Sequence, residues 1–218
     1  MEFEIQTKKS THRIEDVNKI MPEMQGIEDV YDMLRYYHDA GKVLYFNETD
    51  LADFVILDVQ WFVDAFQFII TDKLHMKGIK GRMQDWEEYY QTGHLRDGLL
   101  TDIWRKRDLD LHKELLENDE VAIEDDIAND SRYLLPYKDT ILMFMTRLGL
   151  VAVGEEFHYV PCINKKEIDS RLANIIRESK QKSSVLIFQF DFLPYFVFYR
   201  LIVSCMQEMR WKVLESEE

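Results

Sequence analysis

Residues 34–64 carry the most informative pattern of the chain, and they read LRYYHDAGKVLYFNETDLADFVILDVQWFVD. In chain order, this stretch and its flanks predict a helix over Ile27–Ala40, two short strands over Lys42–Phe46 and Phe54–Leu57, and a helix that runs from Asp58 to about Ile70. Gly41 suits the left-handed position that ends a helix. Asp58 can cap the second helix, which is apolar on most sides and is therefore predicted to be central.

The remaining chain continues this mixture of helices and short strands. We predict a short helix from Thr11, helices over Asp85–Gln91, Thr101–Lys106 and Tyr137–Leu148, a β-hairpin of Leu150–Val153 and Phe157–Pro161, a helix over Glu167–Ser179, a strand over Val185–Phe190, and a helix over Leu193–Met209. Residues 114–130 hold eight acidic and no basic residues, a pattern typical of a solvated, mobile segment. The predicted fold class is α+β and mainly helical.

Charge and composition exclude several classes of protein. The chain has 218 residues, and 27 basic against 41 acidic residues give 27 − 41 = −14. This balance disfavours a general nucleic-acid binder and docking on anionic lipid, whereas 46% apolar residues predict a packed core. The two cysteines, Cys162 and Cys205, cannot form a disulfide scaffold. With no apolar leader or membrane-spanning stretch, we predict a cytoplasmic protein.

No catalytic, cofactor or metal motif stands out, so none is predicted. Gly149 and Gly154 have the spacing of a phosphate loop, but Glu155 follows where lysine is needed. His158 and Cys162 would lie about 13 Å apart along a strand, too far to share one metal ion. An enzyme whose site no motif reveals remains an alternative.

The order of elements from Ile27 to Pro161 predicts a winged helix-turn-helix domain enlarged by insertions. Such domains read DNA or dock on proteins. The candidate recognition helix, Tyr137–Leu148, has only Lys138 and Arg147 as basic residues, whereas a groove-reading helix exposes polar and basic side chains. Protein docking is therefore the favoured use, and nucleic-acid binding is the alternative.

The stretch 34–64 also resembles the COR domain (C-terminal of Roc) of Roco proteins. In that family a His-Asp-x-Gly turn ends a helix, and Val-Ile-Leu-Asp-x-Gln-Trp followed by two apolar residues and Asp opens the next helix. The family-motif positions of this chain are His38, Asp39, Gly41, Asp58, Gln60, Trp61, Asp64, Trp104, Gly149, Pro161 and Pro194. In physical terms, Asp58 caps the central helix, Gln60 can serve N–H groups of its first turn, and Trp61 fills the core.

The resemblance implies a non-catalytic module. Residues 1–26 are polar and are predicted to be a lead-in. The resemblance implies that 27–182 form a winged-helix-like first subdomain that contacts a Roc GTPase domain, in cis or in trans. It also implies that 183–218 begin a second subdomain, truncated here, whose remainder mediates homodimerisation. Such a module couples nucleotide state to dimerisation and signalling, and the GTPase activity, like any kinase activity, resides outside this chain. The aromatic residues predicted to face a partner are Phe188, Phe190, Phe192, Phe196 and Tyr199.

Overall fold

The structure, a computed structural model, describes residues 11–13, 27–70, 82–117, 132–154, 156–165, 170–178, 189, 191 and 194–211. These residues form two compact units that interleave along the chain. The first unit comprises residues 1–80 and 98–145, and the second comprises residues 81–97 and 146–218.

Helices dominate both units, and short strands form two small sheets, which confirms the prediction of an α+β, mainly helical fold. The helices are α1 (Ile27–Asp39), α2 (Val59–Ile70), α3 (Met83–Thr92), α4 (Asp97–Glu117), α5 (Lys138–Arg147), α6 (Ser170–Glu178) and α7 (Tyr195–Glu208), with a 3-10 turn over Leu135–Tyr137. The strands are β1 (Thr11–Arg13), β2 (Leu44–Tyr45), β3 (Phe54–Ile56), β4 (His94–Arg96), β5 (Ala152–Val153) and β6 (Phe157–Tyr159). None of the helices that the structure describes is long and apolar enough to cross a membrane.

The sheet of the first unit has the antiparallel order β1-β3-β2. The prediction that a helix starts at Thr11 was wrong, because residues 11–13 pair with β3, with His12 opposite Val55. Residues 14–26, over which that helix was predicted to continue, lie outside the described part of the chain. A three-residue strand has too few positions to show alternation, and its hydrogen-bond partners lie about 40 residues away in the chain. One face of α1 covers this sheet through a buried cluster of Val30, Leu34, Val43, Tyr45 and Val55.

Helix α2 is the apolar centre of the first unit, as predicted. Trp61, Phe62, Ala65 and Ile69 are buried along it. The Asp58 carboxylate accepts the backbone N–H of Trp61 at 3.0 Å, and this bond supplies the predicted N-terminal cap.

Helix α4 is much longer than predicted, since it extends from Asp97 to Glu117 rather than from 101 to 106. Neither Gly nor Pro interrupts residues 99–117, and exposed i,i+3 ion pairs, Asp102–Arg105 and Asp110–Lys113, lie along it. Residues 114–117 of the acidic stretch are therefore helical. Residues 118–131 lie outside the described part of the chain.

The sheet of the second unit has the order β4-β6-β5. The predicted hairpin of β5 and β6 is confirmed, with Val153 opposite His158. Strand β4 was not predicted, because it is only three residues long and pairs with β6 more than 60 residues away, with Arg96 opposite Phe157. Helix α3 ends just before it at Gly93, whose φ of 77° is left-handed.

Helix α7 packs against the hairpin of the second unit. Val203 is buried in a cluster with Ala152 and Tyr159, and the Gln207 side-chain amide donates to the Val153 carbonyl at 3.0 Å. Gln207 therefore occupies a backbone acceptor of β5. The predicted strand 185–190, and with it Phe188 and Phe190, lies outside the described residues, apart from residue 189, as does Phe192.

Candidate interaction surfaces

The His38–Gly41 turn holds α1 against the first sheet. The backbone N–H of Tyr45 donates to His38 Nδ1 at 3.4 Å, and the His38 ring meets Phe46 edge-on at 5.0 Å. Gly41 has a φ of 68°, the left-handed geometry that glycine adopts without strain. Asp39 is exposed. These residues position backbone and side chains within the first unit.

The motif on α2 divides into an exposed and a buried part. Gln60 donates through its side-chain amide to Asp64 Oδ1 at 2.7 Å on the exposed surface. Its hydrogen-bond partner is therefore Asp64 and not the N–H groups of the first turn, to which it was expected to bond. Trp61 points inward and donates from Nε1 to the Arg132 carbonyl at 3.3 Å. Its ring also meets Tyr137 edge-on at 6.1 Å. Trp61 thus connects α2 to the segment that leads into α5.

Trp104 on α4 is the largest fully buried side chain among the described residues. Its Nε1–H donates to the carbonyl of Ala65 at 3.1 Å. This hydrogen bond joins α4 to α2 at the level of Ala65, and it therefore fixes the position of one helix along the other. Trp104 therefore fills the core and fixes the position of α4 along α2.

A polar cluster that the sequence did not reveal lies around Asp108 on α4. The Asp108 carboxylate accepts the backbone N–H groups of Leu134 and Leu135 at 2.9 and 3.0 Å and pairs with Arg107 at 3.2 Å. Arg107 also donates to the Arg132 carbonyl, the acceptor that Trp61 uses. Residues 132–135 are therefore held by side chains from two helices.

Burial gives Asp108 an unusual electrostatic state. Only 8% of the residue is exposed, and this burial raises the pKa of its carboxyl above the ordinary value, although the N–H donors of Leu135 and Leu134 and the Arg107 guanidinium pull the pKa in the opposite direction. Desolvation therefore destabilises the buried carboxylate charge, and the two backbone hydrogen bonds partly offset this cost.

We predict that Asp108→Asn lowers the free energy of unfolding by about 2 kcal/mol at neutral pH, because an amide turns one acceptor into a donor that faces a buried N–H. The pH dependence has a definite sign. A folded-state pKa above the unfolded value of about 4 means that Asp108 contributes stability that is fully present below that unfolded value and is lost as pH rises through the folded pKa.

The deficit of the Asn variant relative to the natural chain should therefore widen when the pH falls from 7 toward 4, measured by urea unfolding at each pH. Asp110→Asn is the matched control, since Asp110 is exposed on the same helix and pairs with Lys113 at 3.3 Å. A deficit that narrows on acidification would contradict the assigned direction.

Gly149, Pro161 and Pro194 lie in the second unit. Gly149 has a φ of 73°, and a Cβ there would meet the Cγ of Arg200 at 2.8 Å, so glycine allows α7 to approach closely. Pro161 is buried after β6. Pro194 directly precedes α7, and its carbonyl accepts the N–H of Val197 at 2.9 Å, which starts the helix.

The outward side of α7 is the most apolar surface of the second unit that the structure describes. Of the five predicted partner-facing residues, two are described: Phe196 is 64% exposed, and Tyr199 is half-buried with its ring stacked on Tyr195 at 6.4 Å. Phe198 and Leu201 are also exposed. This surface suits contact with another apolar surface.

Titratable side chains of the described residues do not converge on a metal site, since no group of three or more His, Cys, Asp or Glu side chains there could hold an ion. His158 Nε2 lies 3.6 Å from Asp97 Oδ1. Cys162 and Cys205 are free and half-buried, and burial raises the pKa of the Cys162 thiol, so it is a weak nucleophile at neutral pH.

The family-motif residues described above pack the core, cap a helix or fix the position of one element against another. They define a class of α+β module in which the motif is structural. The sequence matches the family "C-terminal of Roc, COR-A domain" over residues 2–136. The chain belongs to this family, and the resemblance found in residues 34–64 is thereby confirmed.

A solved structure, that of Methanosarcina barkeri Roco2 RocCORdC bound to GDP, is similar with a TM-score of 0.46 and 16% sequence identity. The similarity covers 72% of this chain and 40% of that one. The chain therefore spans less than half the length of that structure. No curated protein matches the sequence.

Proposed function

We propose that this chain is a non-catalytic COR module that docks on a Ras-like Roc GTPase domain, in cis or in trans, and couples its GTP or GDP state to dimerisation and intracellular signalling. The observation that carries the proposal is the family match over residues 2–136, a family described by its position C-terminal of Roc. The proposed setting is the cytoplasm, in keeping with two free thiols.

The connectivity of the elements supports a winged-helix character. From α3 to β6 the order is helix, strand, helix, helix and hairpin, and β4 completes the hairpin sheet in the order β4-β6-β5. We propose that this winged-helix element belongs to a first subdomain over residues 27–182, after a lead-in over 1–26, and that 183–218 begin a second subdomain.

The properties of α5 favour protein docking over nucleic-acid binding. Its middle is buried through Ile141, Leu142, Phe144 and Met145. One of its two basic residues, Lys138, donates to Thr101 Oγ1 at 3.2 Å, and its first turn carries Asp139. A groove-reading helix needs basic and polar side chains directed toward phosphates and base edges.

A binding measurement tests the proposal. The full chain is titrated by calorimetry with a Roc domain of a Roco protein, loaded with GDP or with a non-hydrolysable GTP analogue. We expect binding whose affinity differs between the two states, since a coupler must bind them unequally. A Ras-like GTPase outside the Roco family is the control. Absence of binding in both nucleotide states would refute the proposal.

A further inference from the structure

The hydroxyl group of Tyr45 is a buried polar group without a hydrogen-bond partner in the described part of the chain. Tyr45 is 4% exposed, and its hydroxyl oxygen is covered yet bonded to no described residue. A buried hydroxyl that makes no hydrogen bond destabilises a fold, and phenylalanine would fill the same space without that cost. The Tyr45 hydroxyl therefore points to a bonding group that is not among the described residues.

Side chains of α1 and of the loop before β3 lie around this hydroxyl. The Tyr31 ring stacks on the Tyr45 ring, with the two centroids 6.3 Å apart. Burial raises the pKa of the Tyr45 hydroxyl, the fields of Tyr31 and Asp53 raise it further, and the field of Arg35 lowers it. Such fields have a short range near a protein surface. Because Arg35 and Asp53 are exposed, the Tyr45 hydroxyl lies just beneath the surface that they form.

Asp53 carries the uncompensated charge of this surface. Arg35 Nη1 lies 3.9 Å from Asp32 Oδ1, whereas Asp53 forms no ion pair within the described ranges. The loop 47–53, which reads NETDLAD, has three acidic and no basic residues. A cation is therefore the complementary ligand, since an anion would be repelled by Asp53.

A guanidinium group suits these side chains better than an ammonium group. It is planar, so it can lie against the half-buried Tyr31 ring. Its N–H groups form a rigid fork, which can donate to the Asp53 carboxylate and to the Tyr45 hydroxyl oxygen at the same time. An ammonium group is more strongly hydrated and presents all its donors from one point.

We propose that Tyr31, Tyr45 and Asp53 form a docking site for an arginine side chain of a partner protein. In the bound state the guanidinium donates to the Asp53 carboxylate and to the Tyr45 hydroxyl oxygen. The hydroxyl is covered in the unbound chain, so a side chain must move as the arginine enters. The Arg35 side chain is 63% exposed, and we expect it to turn toward Asp32. The inference goes beyond the proposed function and does not depend on it.

Nuclear magnetic resonance of the ¹⁵N-labelled full chain tests the site. The probe is a tripeptide with arginine between two glycines, blocked at both ends. The same peptide with citrulline is the control ligand, because its urea group keeps the shape of arginine but has no charge. We expect saturable shifts of the amide signals of Tyr31, Tyr45 and Asp53 with the arginine peptide, and binding roughly tenfold weaker with the citrulline peptide.

Two variants assign the contacts. Asp53→Asn should weaken binding of the arginine peptide roughly tenfold, because it removes the charge that the guanidinium meets. Asp50→Asn is the matched control, since Asp50 is an exposed acid of the same loop and is not among the groups whose fields shift the pKa of Tyr45. It should change the affinity by about twofold or less. Far-UV circular dichroism verifies that both variants fold.

Tyr45→Phe separates the binding role of the hydroxyl from a structural role. It should weaken binding of the arginine peptide roughly threefold, while urea unfolding shows the unbound variant to be as stable as the natural chain or more stable. A marked loss of stability would mean that the hydroxyl already has a partner within the chain, and it would overturn the inference. Absence of saturable shifts with the arginine peptide, equal binding of the citrulline peptide, or unaltered binding by Asp53→Asn would overturn it as well.

Discussion

Trp104→Ala should lower the free energy of unfolding by about 4 kcal/mol, the range found when a buried aromatic side chain is truncated. The Trp104 side chain is fully buried, so its removal leaves a cavity between helices. The same change also removes the 3.1 Å hydrogen bond that Trp104 Nε1 donates to the Ala65 carbonyl. That carbonyl keeps the N–H one turn later in α2 as a partner, so the lost bond itself adds only about 1 kcal/mol. Urea unfolding followed by far-UV circular dichroism measures the effect without relying on the deleted fluorophore.

The control for this prediction is Tyr36→Ala in the same unit. Tyr36 is 69% exposed and contacts Tyr37 edge-on at 5.6 Å, so its truncation should change the unfolding free energy by about 0.5 kcal/mol or less. Equal losses in the two variants would contradict the central packing role assigned to Trp104.

Gly93→Ala should cost about 3 kcal/mol. About 1 kcal/mol comes from holding an L-residue in the left-handed region, since Gly93 has a φ of 77°. About 2 kcal/mol more comes from overpacking, because the added Cβ would lie 2.7 Å from the backbone carbonyl oxygen of Val160. The Gly93 carbonyl itself accepts the Val160 N–H at 2.9 Å, so neither backbone segment can move away without losing this bond.

Gly41→Ala is the matched control, because it separates the two causes. Gly41 has a similar φ of 68°, but a Cβ there would have no atom within 4 Å. Its substitution should cost only the conformational part, about 1 kcal/mol, in the same urea experiment. If both variants lose the same stability, the close approach at Val160 carries no cost and the prediction fails.

The candidate site was only partly readable from the sequence. The motif residues Asp58, Trp61 and Trp104 could be recognised because a cap precedes an apolar helix and large aromatic residues favour the core. The role of Asp108 could not be recognised from the sequence, since its partners Leu134 and Leu135 lie 26 and 27 residues further along the chain. Gly93 carried a usable signal, because a glycine directly after a helix marks its end.

Elements whose hydrogen bonds are satisfied by neighbouring residues could be predicted from the sequence. Helices α1, α2, α3, α5 and α7 and the hairpin of β5 and β6 follow from periodicity, caps and turns over neighbouring residues, and residues 34–64 alone indicated the family.

Long-range contacts in the folded chain establish β1 and β4, the hydrogen bonds from residues 134–135 to Asp108, and the side of α7 that stays exposed. Each depends on partners that are distant in the chain, and a three-residue strand or a single carboxylate has no periodic pattern of its own. Net charge and composition predicted a packed core, whereas the structure distinguishes the apolar side of α7 that the hairpin covers from the side that stays exposed.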